Sequence, residues 1–269
     1  MQPFSKTHYS ARILERRDIS DALWIIRVDP GGEFTYIPGQ YATLGVVSPA
    51  GHYERPYSIV SSPHETFLEF FLELVPHGEV TPRLHTCGVG DEITLRKTAK
   101  GIFTIDLSRG YTNHLLLATV TGVSPFVSHI RSFYQHWKPE GLSGAHRLFL
   151  IEGASRSWEL GYREEMMRTA GEVSWLTYVP TVSRPGEDKA WKGEIGRVDD
   201  LVRKYTDAWG LTPEDTMVYL CGHPGMIENS RGIVGRRGWD ENFIKAEAFF
   251  IPDNEAAESK DELRSKQRA

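Results

Sequence analysis

The chain has 269 residues and a formal net charge of −5, with 40% apolar and 25% charged residues. This is ordinary globular composition with room for two domains. The acidic balance argues against a non-specific nucleic-acid binder, and no window approaches the roughly 20 apolar residues of a membrane-crossing helix.

Between residues 23 and 97, short apolar runs at 23–28, 41–46, 55–60, 67–75 and 92–97 are broken by Gly31-Gly32, Pro38-Gly39, Pro49-Ala50-Gly51 and Pro76-His77-Gly78. In the fourth run Leu68, Phe70, Leu72 and Leu74 alternate with Glu69, Phe71, Glu73 and Val75, the period of a half-buried strand. Such spacing predicts a small antiparallel β-barrel. Beyond about residue 105 the pattern changes to strand then helix. Residues 114–120 form a continuous apolar strand, and Ser124 is placed to cap a helix with Pro125 at its first position and Phe126, Ile130, Phe133 and Trp137 along one face. Strands at 147–152, 173–182 and 216–221 alternate with helices near 160–169 and 198–209, an α/β domain around a mostly parallel sheet. Residues 253–269 carry five acidic and four basic residues and cannot supply a core. The expected division is 1–104, 105–252 and a charged extension, 253–269.

The two cysteines, Cys87 and Cys221, cannot supply the four ligands of an ordinary iron–sulfur cluster. Any one-electron partner must then be another protein. The ten histidines show neither HExxH nor a zinc-type spacing, so no metal site is expected. Gln2, Pro3, Lys6 and His8 lack the apolar region of a secretion signal, and a cytoplasmic address is expected.

The chemistry concentrates at Arg55-Pro56-Tyr57-Ser58. An arginine, an aromatic hydroxyl and a small hydroxyl can grip a diphosphate, cover a flat ring and hydrogen-bond its polar edge, which are the needs of a flavin. A β-barrel bearing Arg-x-Tyr-Ser, followed by an α/β domain ending in Tyr219-Leu220-Cys221-Gly222-His223-Pro224-Gly225, resembles the ferredoxin–NADP⁺ reductase family, most closely its bacterial ferredoxin/flavodoxin type. The match runs nearly the whole chain up to Phe250.

The resemblance implies an FAD-binding barrel and an NADP(H)-binding α/β domain. It assigns Arg55 to the FAD diphosphate, Tyr57 to the isoalloxazine face, Ser58 to the reactive N5 edge, Thr81 to a second phosphate loop, and Phe249 or Phe250 to the cover over the flavin. Cys221 would lie beside the nicotinamide and flavin, and Glu247 on the closing strand completes the catalytic set with Ser58. For NADP the resemblance assigns Thr121 and Gly122 to the diphosphate turn, and Ser183, Arg184, Arg197 and Arg156 to the adenosine 2′-phosphate. Val120 stands where the family usually has glycine, and a β-branched residue there disfavours positive φ and fills ligand space.

The implied activity is hydride exchange between NADP(H) and FAD, with single electrons passing to a ferredoxin or flavodoxin from a monomeric reductase. A flavoprotein reductase for another acceptor and a non-catalytic flavin or nucleotide sensor remain as alternatives. No nucleophile is required, and no serine lies in Gly-x-Ser-x-Gly.

Overall fold

The computed structural model describes residues 6–108, 110–137 and 146–248. Phe249, Phe250 and the 253–269 extension therefore lie outside the described residues. The first sheet comprises β1 (His8–Asp18), β2 (Leu23–Asp29), β3 (Tyr41–Ser48), β4 (Gly51–Ser58), β5 (Leu68–Glu73) and β6 (Glu92–Arg96), antiparallel in the order β4-β3-β6-β1-β2-β5. Its edge strands β4 and β5 come into contact without a hydrogen-bonded ladder, so the sheet curls into a partly open barrel around Ala11, Ile13, Trp24, Ile26, Leu44, Phe70, Leu72 and Leu95.

Strands β1 and β4 depart from the sequence pattern in their extent. Strand β1 was not among the apolar runs because Arg12, Glu15, Arg16 and Arg17 crowd its outer face, hiding the inward Ala11 and Ile13. Strand β4 begins at Gly51 rather than residue 55, because Ser48 pairs with Gly51 across a two-residue turn, and it ends at Ser58. That register carries Arg55, Tyr57 and Ser58 to the far end of the hairpin.

Strand β5 is buried on both faces, not one. Leu68, Phe70 and Leu72 fill the barrel, whereas Phe71 packs into the core of the α/β domain that covers the other side. Glu69 lies on that covered side, 2% exposed. It meets Arg27 Nε at 2.6 Å, accepts from Tyr162 Oη at 3.0 Å and lies 3.0 Å from Arg131 Nη1. Burial alone would push its carboxyl up, but Arg131 and Arg27 hold it below the ordinary range.

The second sheet is parallel, built from β7 (Asn113–Thr119), β8 (Arg147–Ala154), β9 (Leu176–Val182), β10 (Glu194–Ile195), β11 (Thr216–Gly222) and β12 (Ile244–Ala248) in the order β10-β9-β8-β7-β11-β12. On one face α2 (Ser124–His136) and α3 (Arg163–Glu172) pack against Leu116, Leu148, Leu150 and Tyr219. On the other, α4 (Val198–Ala208) and α5 (Pro224–Arg236) cover Leu115, Leu117, Ile151 and Leu220. The order turns around at β7 and β11, the point where such sheets open a crevice. Ser124 is the first residue of α2 rather than its cap: a 3₁₀ turn, Val120–Val123, runs directly into the helix, and Ser124 Oγ donates back to Thr121 O at 2.6 Å. No helix among the described residues is long and apolar enough to cross a membrane.

Glu152 on β8 is wholly buried, with Tyr178 Oη donating to its Oε2 at 2.6 Å and no hydrogen bond to its Oε1 among the described residues. Burial pushes its carboxyl up to about 7, against the smaller opposing pull of the Tyr178 bond. A folded value above the unfolded one means that its contribution is fully present below the ordinary carboxylate range and is lost as pH rises through about 7. Glu152→Gln is therefore expected to flatten the fall in stability between pH 5 and 8, as measured by urea denaturation across that range.

Candidate active site

A cleft of about 1060 Å³ separates the two sheets and takes its walls from both. From the barrel come Arg55, Tyr57 and Ser58 on β4 and the turn of Gly78, Glu79, Val80 and Thr81. From the α/β domain come the ends of successive strands: Thr119, Val120 and Thr121 after β7, Ser155 after β8, Ser183 and Arg184 after β9, His223 after β11, and Glu247 on β12. Arg197 lines it from the start of α4.

Arg55 is half exposed, with Nη2 3.3 Å from Glu79 Oε2. A solvent-exposed pair of this kind holds its arginine weakly, so a diphosphate could take its place. Tyr57 Oη is buried with no hydrogen-bond partner among the described residues, an orphan polar atom on a strand that lines the cleft. Thr81 opens the short helix α1 (Thr81–His85); Val80 stands at its N-cap, and the Thr81 hydroxyl accepts from Val75 N at 2.9 Å.

The catalytic set expected from the resemblance comes together across the domain boundary. Ser58 Oγ donates to Glu247 Oε1 at 3.2 Å, although 189 residues separate them in the chain. Glu247 pairs in register with Cys221 on β11. Burial pushes the Glu247 carboxyl above its ordinary range, and the Ser58 bond draws it partly back. Burial, and then the Glu247 charge, hold the Cys221 thiol well above its usual value. Cys221 is 0% exposed and lies behind the cleft wall rather than on it.

The expected nucleotide residues divide in two. Thr121, Ser183, Arg184 and Arg197 line the cleft; Arg184 and Arg197 are exposed, with Glu187 at 3.9 Å and Asp199 at 3.6 Å. Arg156 instead bonds Glu159 Oε1 at 3.0 Å and Glu187, off the cleft wall. Gly122 is buried behind the wall, where any Cβ would overlap the Cys221 carbonyl. Close packing of the turn on β11 therefore requires this glycine.

Val120 is the single non-glycine residue with positive φ among the described residues, at +46°. The turn keeps the left-handed backbone that glycine adopts freely, now with a β-branched side chain on the cleft wall. Strain of about 1–3 kcal/mol follows. Relieving it offsets the roughly 0.5–1 kcal/mol of backbone entropy that a glycine loses and part of the packing lost with a half-buried isopropyl group. Val120→Gly is thus expected to leave stability within about 1 kcal/mol while tightening NADP⁺ binding in a fluorescence titration; unchanged or weaker affinity would mean the cleft is shaped around the valine.

The sequence reading missed Thr119 and the pairing of Glu79 with Arg55. Thr119 Oγ1 accepts from His223 N at 2.8 Å, joining β7 to the turn after β11 at the switch point. Its place at the carboxyl end of the first parallel strand was the available signal. Glu79, which faces Arg55, belongs to a turn that joins β4 in space only.

An antiparallel barrel presenting arginine, tyrosine and serine across a cleft from the strand ends of a dinucleotide-type sheet defines a two-domain reductase of the flavin and nicotinamide class. Residues 116–232 match the model of the oxidoreductase NAD-binding domain. The chain is 30% identical over 242 residues to ferredoxin–NADP reductase A of Sorangium cellulosum, covering 85% of this chain and 83% of that protein. To the ferredoxin–NADP reductase of Pseudomonas aeruginosa it is 28% identical, covering 86% and 90%. Its fold matches the crystal structure of a ferredoxin NADP⁺ reductase from Neisseria gonorrhoeae with bound FAD and NADP at a TM-score of 0.79, with 22% identity over 91% of this chain and 99% of that one. The chain belongs to the ferredoxin–NADP reductase family.

Proposed function

We propose that this protein is a ferredoxin–NADP⁺ reductase in which FAD sits on the barrel wall of the cleft, against Arg55, Tyr57, Ser58 and Thr81, and NADP(H) enters from the strand ends carrying Thr121, Ser183, Arg184 and Arg197. The observation that carries this reading is the Ser58–Glu247 hydrogen bond, which ties the proposed flavin strand to the closing strand of the nucleotide domain at one point of the cleft. When bound, FAD supplies the chemistry of accepting a hydride and releasing electrons singly. The chain's own residues do the rest. Arg55 offers a planar fork that suits a diphosphate, the Tyr57 hydroxyl provides a donor with no other partner among the described residues, and the buried Ser58 with the half-buried Glu247 presents a hydrogen-bonded pair at the transfer point.

Gly122 and Arg156 would then act indirectly, the first by letting the turn close on β11 and the second by reaching the nucleotide only after leaving Glu159 and Glu187. The barrel part is taken to run to residue 104 and the nucleotide part from 105 to 252. The carrier is a small ferredoxin or flavodoxin, the class named for relatives such as the flavodoxin/ferredoxin–NADP reductase of Escherichia coli. The proposed state is a cytoplasmic monomer, tested by light scattering on the eluting holoprotein.

The test is a visible spectrum followed by anaerobic addition of NADPH. A yellow protein with one releasable FAD that bleaches with NADPH and passes electrons to a ferredoxin or flavodoxin supports the reading; a protein that gains no absorbance on reconstitution with FAD overturns it. NADPH is expected to be preferred over NADH, because only the 2′-phosphate offers Arg184 and Arg197 a dianion. Arg184→Ala should reduce that preference in kcat/KM about 10- to 100-fold, from the loss of a charge-assisted hydrogen bond. Equal kcat/KM values for the two nucleotides in the unsubstituted protein would refute the assignment.

A further inference from the structure

Away from the cleft, strand alternation brings three metal-binding side chains onto the outer face of the barrel. Ala11 and Ile13 of β1, Leu44 of β3 and Ile93 and Leu95 of β6 point inward, so His8, Gly45, Thr94 and Arg96 point outward, as do His52 and Glu54 of β4. The register aligns them: His8 with Arg96, and Gly45 with both Glu54 and Thr94. A ligand atom from each of His8, His52 and Glu54 falls within 4.8 Å of the other two. We propose that His8, His52 and Glu54 form a site for a divalent transition-metal ion of the zinc class, outside the nucleotide and flavin cleft.

The surroundings are those of a built site. His8 is buried; its Nε2 lies 2.9 Å from Glu54 Oε2, and its Nδ1 lies 2.8 Å from the Thr7 hydroxyl. His52 Nε2 lies 2.7 Å from the Thr94 hydroxyl. Each imidazole is thus held at one nitrogen by a threonine, the outer support that fixes tautomer and ring direction in metal sites. Glu54 Oε1 is held by Arg96 Nε at 2.9 Å, which directs Oε2 towards His8. The ion would exchange the His8–Glu54 hydrogen bond for two coordination bonds, and a His₂Glu set leaves a fourth position to water. Gly45 makes the room: a Cβ there would lie 2.6 Å from Thr94 Oγ1 and 2.8 Å from His52 Nε2, and glycine inside a strand commonly marks such a close approach. The Arg96 charge beside Glu54 lowers affinity without removing any ligand. Bound there, the ion would tie β1 to β4 across β6 and β3.

The test is calorimetric titration of chelator-treated, dialysed holoenzyme with Zn²⁺. One equivalent is expected to bind per chain, with His52→Ala and Glu54→Gln each losing that binding. Thr94→Val removes only the supporting hydroxyl and should weaken it about 10- to 100-fold, with FAD content and circular dichroism confirming the fold of every variant. The histidine pairs His64–His136 and His114–His146, at 2.8 and 3.1 Å, are the competing sites. His64→Ala/His136→Ala and His146→Ala should leave the titration unchanged. Absence of one-equivalent binding, its survival in His52→Ala, or its loss in either control variant would overturn the proposal.

Discussion

Arg131→Ala is expected to destabilise the protein by about 3 kcal/mol, the lower end of what breaking a buried ion pair costs. Arg131 on α2 makes two parallel bonds to Glu165, at 2.7 and 2.9 Å, and reaches Glu69 of the barrel at 3.0 Å. Its removal leaves a carboxylate that is 2% exposed with only Arg27 and Tyr162 to hold it, which is why the lower end of the range applies. Urea denaturation measures the loss, and Arg131→Ala/Glu69→Gln should recover part of it by removing the stranded charge. The pH dependence has a definite sign. The folded carboxyl of Glu69 titrates below its ordinary value of 4.5, so the stability that it contributes is present above that value and is lost as pH falls. The gap between wild type and Arg131→Ala should therefore narrow below about pH 4.5. A gap that stays constant down to pH 3 would show that Arg131 acts by packing alone.

Ser58→Ala is expected to slow flavin reduction by NADPH about 10- to 100-fold with FAD still bound, the range that follows from losing one hydrogen bond to a charged group. Among the described residues Ser58 Oγ is the hydroxyl that bonds Glu247, and without it the half-buried carboxyl loses the contact that draws its titration back down. The limb of the pH–rate profile belonging to Glu247 should then move to higher pH, an effect that simple loss of packing would not produce. Ser58→Thr, which keeps a hydroxyl, should restore most of the rate. Stopped-flow reduction across pH 5–9 is the measurement. An unchanged rate and profile in Ser58→Ala would remove Ser58 from the transfer point.

Local chemistry carried much of the organisation. Alternating runs and glycine or proline turns marked five of the barrel strands, and the change to strand-then-helix marked the parallel sheet, because both signals are written in neighbouring residues. Strand β1 escaped because its charged outer face outnumbers the apolar inner one. The Arg55-Pro56-Tyr57-Ser58 run and the Gly222-His223-Pro224 turn were legible as a site for the same reason: each is a contiguous piece of backbone whose residues share one task.

By itself the sequence determined the two-part architecture, the family resemblance and many of the residues that line the cleft, since each depends on short segments and their order. Tertiary structure alone decided which of those residues meet. The covered outer face of β5 turned Glu69 from a solvent-facing strand position into the partner of Arg27, Tyr162 and Arg131. The backbone at Val120 kept a left-handed conformation that its side chain opposes. Ser58 met Glu247 through the packing of one sheet's domain on the other, and His8 met His52 and Glu54 through strand pairing within the barrel. Strand register sets such contacts, and no local spacing encodes it, because a shift of a single residue sends every side chain to the opposite face.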